Sequence, residues 1–250
     1  MTRNFLAIGL GDKTDLLKAK SNFLLIHDNA DQFLSEYPRA DVYNPDHHGF
    51  NPLKGIDYKG ARDFAETIYG TEGKDTLTVR NGKRALTRAF LKSKSLDRLQ
   101  TDDDEANATV DDLLLSPVLQ RVLCSGKEFS FKTRTILARI NRAELGEFDA
   151  MILTSLLVRQ YRSQIIIPDF GFYARSFHTA PIREERLLAG VNTLSELEPK
   201  LRNMCLLMDK VGRRCTFADA QTLAEYAGLV PERDRADCDY NKFVRAAMEG

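Results

Sequence analysis

Asp169 is the residue of this sequence whose type and position best suit the binding of a metal ion. It ends the apolar segment Gln164-Ile-Ile-Ile-Pro-Asp169, whose composition is typical of a short buried strand. A carboxylate at the carboxyl end of such a strand faces the crevice where open α/β sheets bind ligands. In nucleotide hydrolases this carboxylate holds Mg²⁺, usually through water. The alternative is a turn residue, because Asp and Gly in Pro-Asp-Phe-Gly both favour turns.

A second group of residues has the composition of a phosphate-binding loop. The segment Gly9-Leu-Gly-Asp-Lys-Thr14 follows an apolar run and precedes a short helical stretch. Glycines let backbone N–H groups face phosphate oxygens, a lysine reaches the outer phosphates, and a hydroxyl binds Mg²⁺. The candidate ligands of ATP and Mg²⁺ are therefore Gly9, Gly11, Lys13 and Thr14. The spacing departs from G-x-x-x-x-G-K-[ST], because Ala7 and Asp12 occupy the two glycine positions. The carboxylate of Asp12 would also repel a triphosphate, so the predicted loop is degenerate.

A basic stripe is the third candidate. Its side chains recur every four residues, so they share one face if their helix begins early enough; they are Arg80, Arg84, Arg88 and Lys92. Like charges at this spacing destabilise a helix by a few tenths of a kcal/mol per pair, which phosphates or partner carboxylates would offset. The stripe is predicted to contact the DNA backbone. The alternative is a solvated face balanced by the acidic, solvated loop Thr101–Glu105.

Composition narrows the class of protein. The 250 residues carry 36 basic and 36 acidic side chains, so any nucleic-acid contact must come from a local patch. The four cysteines and four histidines lack zinc-site spacing, and no G-x-S-x-G elbow is present. No apolar run reaches the ~20 residues that span a bilayer, and residues 1–20 lack a signal-peptide core. We therefore expect a cytoplasmic location without membrane insertion.

The order of elements indicates an α/β fold with a mainly parallel sheet flanked by helices. The predicted strands are Asn4–Ile8, Asn22–Asp28, Asp41–Tyr43, Thr135–Ile140, Gln164–Asp169, Arg186–Val191 and Asn203–Met208. The predicted helices are Ala30–Tyr37, Tyr58–Tyr69, Gly82–Leu91, Val110–Leu123, Asp149–Tyr161, Thr216–Tyr226 and Asp239–Met248. Because residues 57–126 carry almost no strand signal, we expect one α/β domain over residues 1–250 with a helical insertion or subdomain at 57–126.

The sequence resembles the HerA/FtsK superfamily of P-loop ATPases, particularly the TraG/TraD-type coupling proteins and related packaging motors. The similar segments, in family order, are Phe23–Asp28, Tyr43-Asn-Pro, Phe50-Asn-Pro-Leu53, Thr135–Ile140, Ile165–Asp169, Arg186–Leu197 and Asp219–Leu229. The resemblance rests on the order of these segments over most of the chain. It implies that residues 57–126 correspond to the coupling proteins' all-α insertion.

The resemblance implies catalytic roles and also shows departures. Asp169 would hold the metal as the Walker B aspartate, and Asn192 would sense the γ-phosphate where the family often has Gln. Arg186 or Arg183 would act as an arginine finger across a subunit interface. Phe170 stands where Walker B normally has a glutamate, whose help as a general base is worth about 10²–10⁴ in rate.

Three functions follow as alternatives. The first is an ATP-binding subunit of a DNA translocation, packaging or transfer motor with impaired hydrolysis. It would form a homo-oligomeric ring, for which a hexamer is one form, and bind partner proteins of a larger assembly. The second is an inactive ATPase-like structural or partner-docking protein. The third is an unrelated α/β domain. This alternative would be excluded if the strand ending at Asp169 lay beside the strand that leads to Gly9.

Overall fold

The computed structural model describes residues 4–8, 22–69, 76–125, 127–132, 134–173, 186–191, 205–208 and 214–215. Within these ranges the strands are β1 (Asn4–Ile8), β2 (Phe23–His27), β3 (Asp41–Tyr43), β4 (Ile136–Arg139), β5 (Gln164–Ile167), β6 (Leu187–Val191), β7 (Cys205–Met208) and β8 (Arg214–Cys215). The helices are α1 (Tyr58–Tyr69), α2 (Leu77–Lys92), α3 (Asp104–Leu115), α4 (Pro117–Gln120), α5 (Arg142–Leu145), α6 (Glu147–Gln160) and α7 (Phe170–Tyr173). A 3₁₀ helix covers Ala30–Ser35, and a π-helical turn covers Arg121–Ser125.

Contacts divide the chain into two units, and the boundary falls within β2, between Leu25 and Ile26. In the first unit the strand order is β2-β5-β6-β1-β7-β8. The pairs β2–β5, β5–β6, β6–β1 and β1–β7 are parallel, and β8 is antiparallel to β7. The predicted α/β fold with a mainly parallel sheet is therefore confirmed.

The strand neighbours do not meet the condition that would have excluded an unrelated α/β domain. β5, which leads to Asp169, does not lie beside β1, which leads to Gly9, because β6 pairs with both of them. Strand neighbours are set by long-range pairing, which local sequence patterns do not encode. The adjacency that would have excluded an unrelated α/β domain is thus absent.

The second unit covers the described residues from Ile26 to Arg162 and contains the order β3-β4-β2 and the helices α1 to α6. β3 and β4 are parallel, and Ile140 N–H donates to the carbonyl oxygen of His27. Helix α1 packs against α2, α3 and α6. Residues 152–158 of α6 are all buried, as expected of a helix that is apolar on every side.

Helix α2 begins five residues earlier than predicted, at Leu77, because Thr76 caps it. The Thr76 hydroxyl accepts from Val79 N–H at 3.3 Å. The early start places the whole basic stripe on one helix. The opposite face is buried, and its Phe90 ring stacks on Phe64 of α1 with centroids 4.7 Å apart.

The single helix predicted for Val110–Leu123 is interrupted at Ser116. Proline disfavours helical geometry in the preceding residue, and Ser116 is extended with ψ 117°. Pro117 then occupies the first turn of α4, and the Ser116 hydroxyl accepts from Leu119 N–H at 3.2 Å. The Ser-Pro step therefore divides this segment into α3 and α4.

The acidic run 102–105, interpreted from sequence as a solvated loop, forms the start of α3 instead. Asp103 caps the helix, and its carboxylate accepts from Ala106 N–H at 2.9 Å. Asp104 and Glu105 occupy the first turn, where negative charge complements the helix dipole. The predicted helices Thr216–Tyr226 and Asp239–Met248 lie outside the described residues.

Candidate functional site

Three parallel strands of the first unit end at one edge of the sheet. Ile8 of β1 pairs with Val191 of β6, and Ile167 of β5 pairs with Ala189, two residues before Val191. The β1 and β5 axes are two strand spacings apart, about 10 Å. In parallel sheets this carboxyl edge is where ligands bind.

Asp169 follows β5 at this edge, in a turn after Pro168. Its side chain is partly exposed, whereas Phe170, which begins α7, is 1% exposed. The position that carries the glutamate in a standard Walker B motif therefore points into the protein interior. The position differs from that of a standard Walker B glutamate in the direction of its side chain as well as in its chemistry.

Arg186 lies at the other edge of the sheet. It immediately precedes β6, and its carbonyl oxygen accepts from Ile165 N–H at 2.8 Å, near the start of β5. Asp169 is four residues further along the chain than Ile165, about 13 Å at the rise of a strand. Within one chain the two predicted catalytic residues are therefore not brought together, and a role for Arg186 across a subunit interface stays a prediction.

The other predicted nucleotide-site residues lie outside the described part of the chain. They are Gly9, Gly11, Lys13, Thr14, Arg183 and Asn192. β1 ends one residue before Gly9, and β6 ends one residue before Asn192. Their roles stay predictions.

A groove of about 690 Å³ runs between α1 and α2 in the second unit. Three predicted DNA contacts line it, Arg80, Arg84 and Arg88. Lys92 is exposed in the last turn of α2, outside this lining. The remaining lining residues are Tyr58, Arg62, Glu66, Lys83 and Thr87.

The groove is predominantly basic. Its described lining contains five cationic side chains and one carboxylate, that of Glu66, which pairs with Arg62 at 3.0 Å. The Arg62 side chain is 64% exposed although it is paired, and Arg80, Arg84 and Arg88 are exposed as well, so the groove presents positive charge to solvent. Sequence reasoning missed the α1 side of the groove, although Tyr58, Arg62 and Glu66 follow the i, i+4 spacing of one helical face.

Arg159 of α6 holds α1 in position through two hydrogen bonds. Its guanidinium donates to the carbonyl oxygen of Gly60 at 3.1 Å and to the Thr67 hydroxyl at 2.9 Å. Burial lowers the pKa of Arg159 to about 10, opposed by the carboxylates of Asp63 and Glu66. The side chain is therefore still cationic at neutral pH, and its hydrogen bonds position the α1 wall of the groove.

An aromatic cluster surrounds His48 in the second unit. The His48 ring lies 5.0 Å from that of Phe129 and 6.0 Å from that of Tyr43, and its Nδ1 accepts from Asn44 N–H at 3.2 Å. Burial lowers the pKa of His48. Burial also raises the pKa of Tyr43 above its ordinary value, with Arg121 opposing. Both rings are thus neutral at physiological pH and act as packing groups.

Asp28, at the carboxyl end of β2, is engaged in an ion pair. The guanidinium of Arg142 lies 2.9 Å from one carboxylate oxygen of Asp28 and 3.3 Å from both through Nε. Across the described ranges no three His, Cys, Asp or Glu side chains are grouped so as to hold a metal ion. Asp169 therefore remains the candidate metal ligand in the described part of the chain.

No protein-family model matches this sequence, and no curated protein shows significant similarity to it. Among the described helices, none has both the length and the apolar character that a membrane span requires.

Proposed function

We propose that this chain is an ATP-binding subunit of a ring-forming motor that moves or transfers DNA, with weak hydrolysis. The observation that carries the proposal is the common edge at which β1, β5 and β6 end. The chain passes from these strand ends to Gly9, Asp169 and Asn192, which are the residues proposed to bind phosphate, bind Mg²⁺ and sense the γ-phosphate. The resemblance to the HerA/FtsK superfamily supports the same assignment.

The strand order supports the proposal geometrically. β6 lies between β1 and β5, so the residue proposed as the sensor follows the strand between the other two. Groups that follow three neighbouring parallel strands can face one ligand at the carboxyl edge. In this proposal, backbone N–H groups of Gly9 and Gly11 and the Lys13 ammonium bind phosphates, and Thr14 and Asp169 hold Mg²⁺.

Weak hydrolysis follows from Phe170. With no carboxylate at this position, the attacking water lacks the general base worth about 10²–10⁴ in rate. The protein is therefore expected to bind ATP but to hydrolyse it slowly.

Isothermal titration calorimetry with ATP and with ADP, each with Mg²⁺, tests the nucleotide site. Wild type is expected to bind, and Lys13→Ala and Asp169→Ala to bind more weakly. Lys18→Ala is a matched control, because it removes a lysine of the same N-terminal region outside the Gly9–Thr14 segment. Absence of binding of either nucleotide at millimolar concentration would overturn the proposal.

The buried side chain of Phe170 also favours a second function, an ATPase-like subunit that assembles or docks a partner without hydrolysis. Steady-state phosphate release with and without DNA distinguishes the two. A slow rate that is lost in Asp169→Ala supports the motor. If the wild type binds nucleotide but releases phosphate no faster than Asp169→Ala does, the docking subunit is supported.

A further inference from the structure

We propose that the groove between α1 and α2 binds single-stranded nucleic acid, with its basic side chains on the phosphates and Tyr58 stacked on a base. This inference rests on the DNA-handling part of the proposed function and specifies the form of nucleic acid. It involves no residue of the nucleotide site.

The charges of the groove suit a polyanionic strand. Arg80, Arg84 and Arg88 occupy successive turns of α2, so their Cα atoms follow one another at about 6 Å and span about 12 Å. All three are exposed, and Lys83 and Arg62 add positive charge from the same helix and from the facing one. The chain as a whole has no net charge, so this local excess is what would attract phosphates.

Tyr58 makes the groove selective for unpaired bases. It is the first residue of α1, lines the groove and is 66% exposed, although a ring of this size is normally covered. A basic groove with an accessible aromatic ring is the arrangement by which proteins bind single strands. In a duplex the bases are stacked on one another, so none is free to stack on Tyr58.

The dimensions also favour a single strand. A volume of about 690 Å³ lies in the range of roughly 300–1,000 Å³ typical of clefts for small ligands. Such a cleft takes a few nucleotides of one strand. An acidic peptide would satisfy the arginines, but it would leave Tyr58 without a stacking partner.

Fluorescence anisotropy of the full chain with a labelled deoxythymidine oligonucleotide of about 16 nucleotides tests the inference. Binding is expected to weaken between about 50 and 200 mM salt, with a slope of about −3 on logarithmic axes for four to five phosphates. Arg84→Gln is expected to reduce the slope by about 0.7, the value for one lost phosphate contact. Tyr58→Ala is expected to weaken binding at least about five-fold and to leave the slope unchanged.

Matched variants separate the groove from general charge effects. Lys94→Gln removes an exposed cation two residues after α2 and outside the groove, and Arg98→Gln removes one whose side chain is 86% exposed. Both are expected to retain the wild-type affinity, and Tyr58→Phe is expected to retain stacking. All these side chains are exposed, and a circular dichroism melt confirms that each variant is folded.

The outcomes divide clearly. Equal affinity for duplex and single strand, loss of affinity in Lys94→Gln as large as in Arg84→Gln, or competition by polyglutamate as effective as by unlabelled oligonucleotide would each overturn the inference. Nucleotide binding without oligonucleotide binding overturns it while the proposed nucleotide site stands. If oligonucleotide binding depends on Tyr58 but the chain binds no ATP, the proposed single-strand site is supported and the proposed motor function is overturned.

Discussion

At the scale of single residues, Phe170 limits the hydrolysis expected of the proposed motor. Its ring is 1% exposed and helix α7 begins with it, so the side chain contributes to the core directly after Asp169. A glutamate at this position would have to leave the interior to reach the nucleotide. In the proposed motor, weak hydrolysis would therefore be a consequence of packing as well as of chemistry.

We expect Phe170→Glu to lower the free energy of unfolding by about 3 kcal/mol or more, because a carboxylate would be buried and the ring's packing lost. ATP hydrolysis would not rise. Urea unfolding and phosphate release measure the two effects. Phe170→Leu, a smaller apolar replacement, should cost about 1–2 kcal/mol. A stable Phe170→Glu protein with faster hydrolysis would contradict this account of Phe170.

His48 predicts a pH dependence of stability. Burial holds its folded-state pKa below the ordinary 6.5, so protonation favours the unfolded chain. The stabilising contribution of neutral His48 is present above pH 6.5 and declines as the pH falls from 6.5 to the folded-state pKa. Urea unfolding across this window should show the loss in wild type and a smaller loss in His48→Gln. Arg98→Gln, which changes an exposed cation that does not contribute to the lowered pKa of His48, should behave as wild type.

At the scale of elements, the α1–α2 pair determines the geometry of the groove. α2 presents two faces, with Gly82, Leu86 and Phe90 buried and the arginines exposed. Gly82 allows the two helices to approach closely, because a Cβ atom there would lie 2.8 Å from Cζ of Tyr69 and nearer still to its hydroxyl. The spacing of the groove walls depends on this contact.

We expect Gly82→Ala to destabilise the protein by up to about 2 kcal/mol and to weaken oligonucleotide binding. The gain in helix propensity is about 1 kcal/mol, whereas overpacking against the half-buried Tyr69 ring costs about 1–3 kcal/mol. Thermal unfolding and anisotropy measure the two effects. Gly60→Ala in α1 is the control, because a Cβ there meets only side-chain atoms of Asp57 and Ile56, at 3.1 Å or more. A more stable Gly82→Ala variant with unchanged binding would show that the contact is dispensable.

At the scale of the whole molecule, the proposed motor needs more than one chain. Arg186 and Asp169 lie at opposite edges of the sheet, so Arg186 can act on a nucleotide only across a subunit interface. Because the chain has no net charge, the attraction of a nucleic acid in this proposal must come from the basic groove. Assembly is therefore the property that distinguishes the proposed motor from a solitary binding domain.

We expect light scattering after gel filtration to show a larger assembly with ATP and Mg²⁺ than without them. Arg186→Ala should leave the affinity for ATP unchanged and lower the residual hydrolysis, because a finger stabilises the transition state. Arg98→Ala, at an exposed site, should change neither the affinity for ATP nor the rate of hydrolysis. If Arg186→Ala retains the full rate, Arg186 is not the finger, and Arg183→Ala becomes the variant to compare.

Local patterns determined where most elements lie. β1, β3 and α1 have the predicted bounds, because apolar runs and amphipathic periodicity act over neighbouring residues. Errors occurred at element ends, where Thr76 extended α2 and Pro117 divided a helix. Caps and proline sterics are local, so a closer reading of the sequence could have found both.

The sequence by itself therefore determined the α/β class, the order of elements and the basic face of α2. Only the tertiary structure decided that β6 lies between β5 and β1, that Phe170 points inward, and that Tyr58 and Arg62 face the arginines of α2. The physical reason is the range of the interactions. Propensity and periodicity act within one element, whereas strand pairing and the contact of Tyr69 with Gly82 join residues that are distant along the chain.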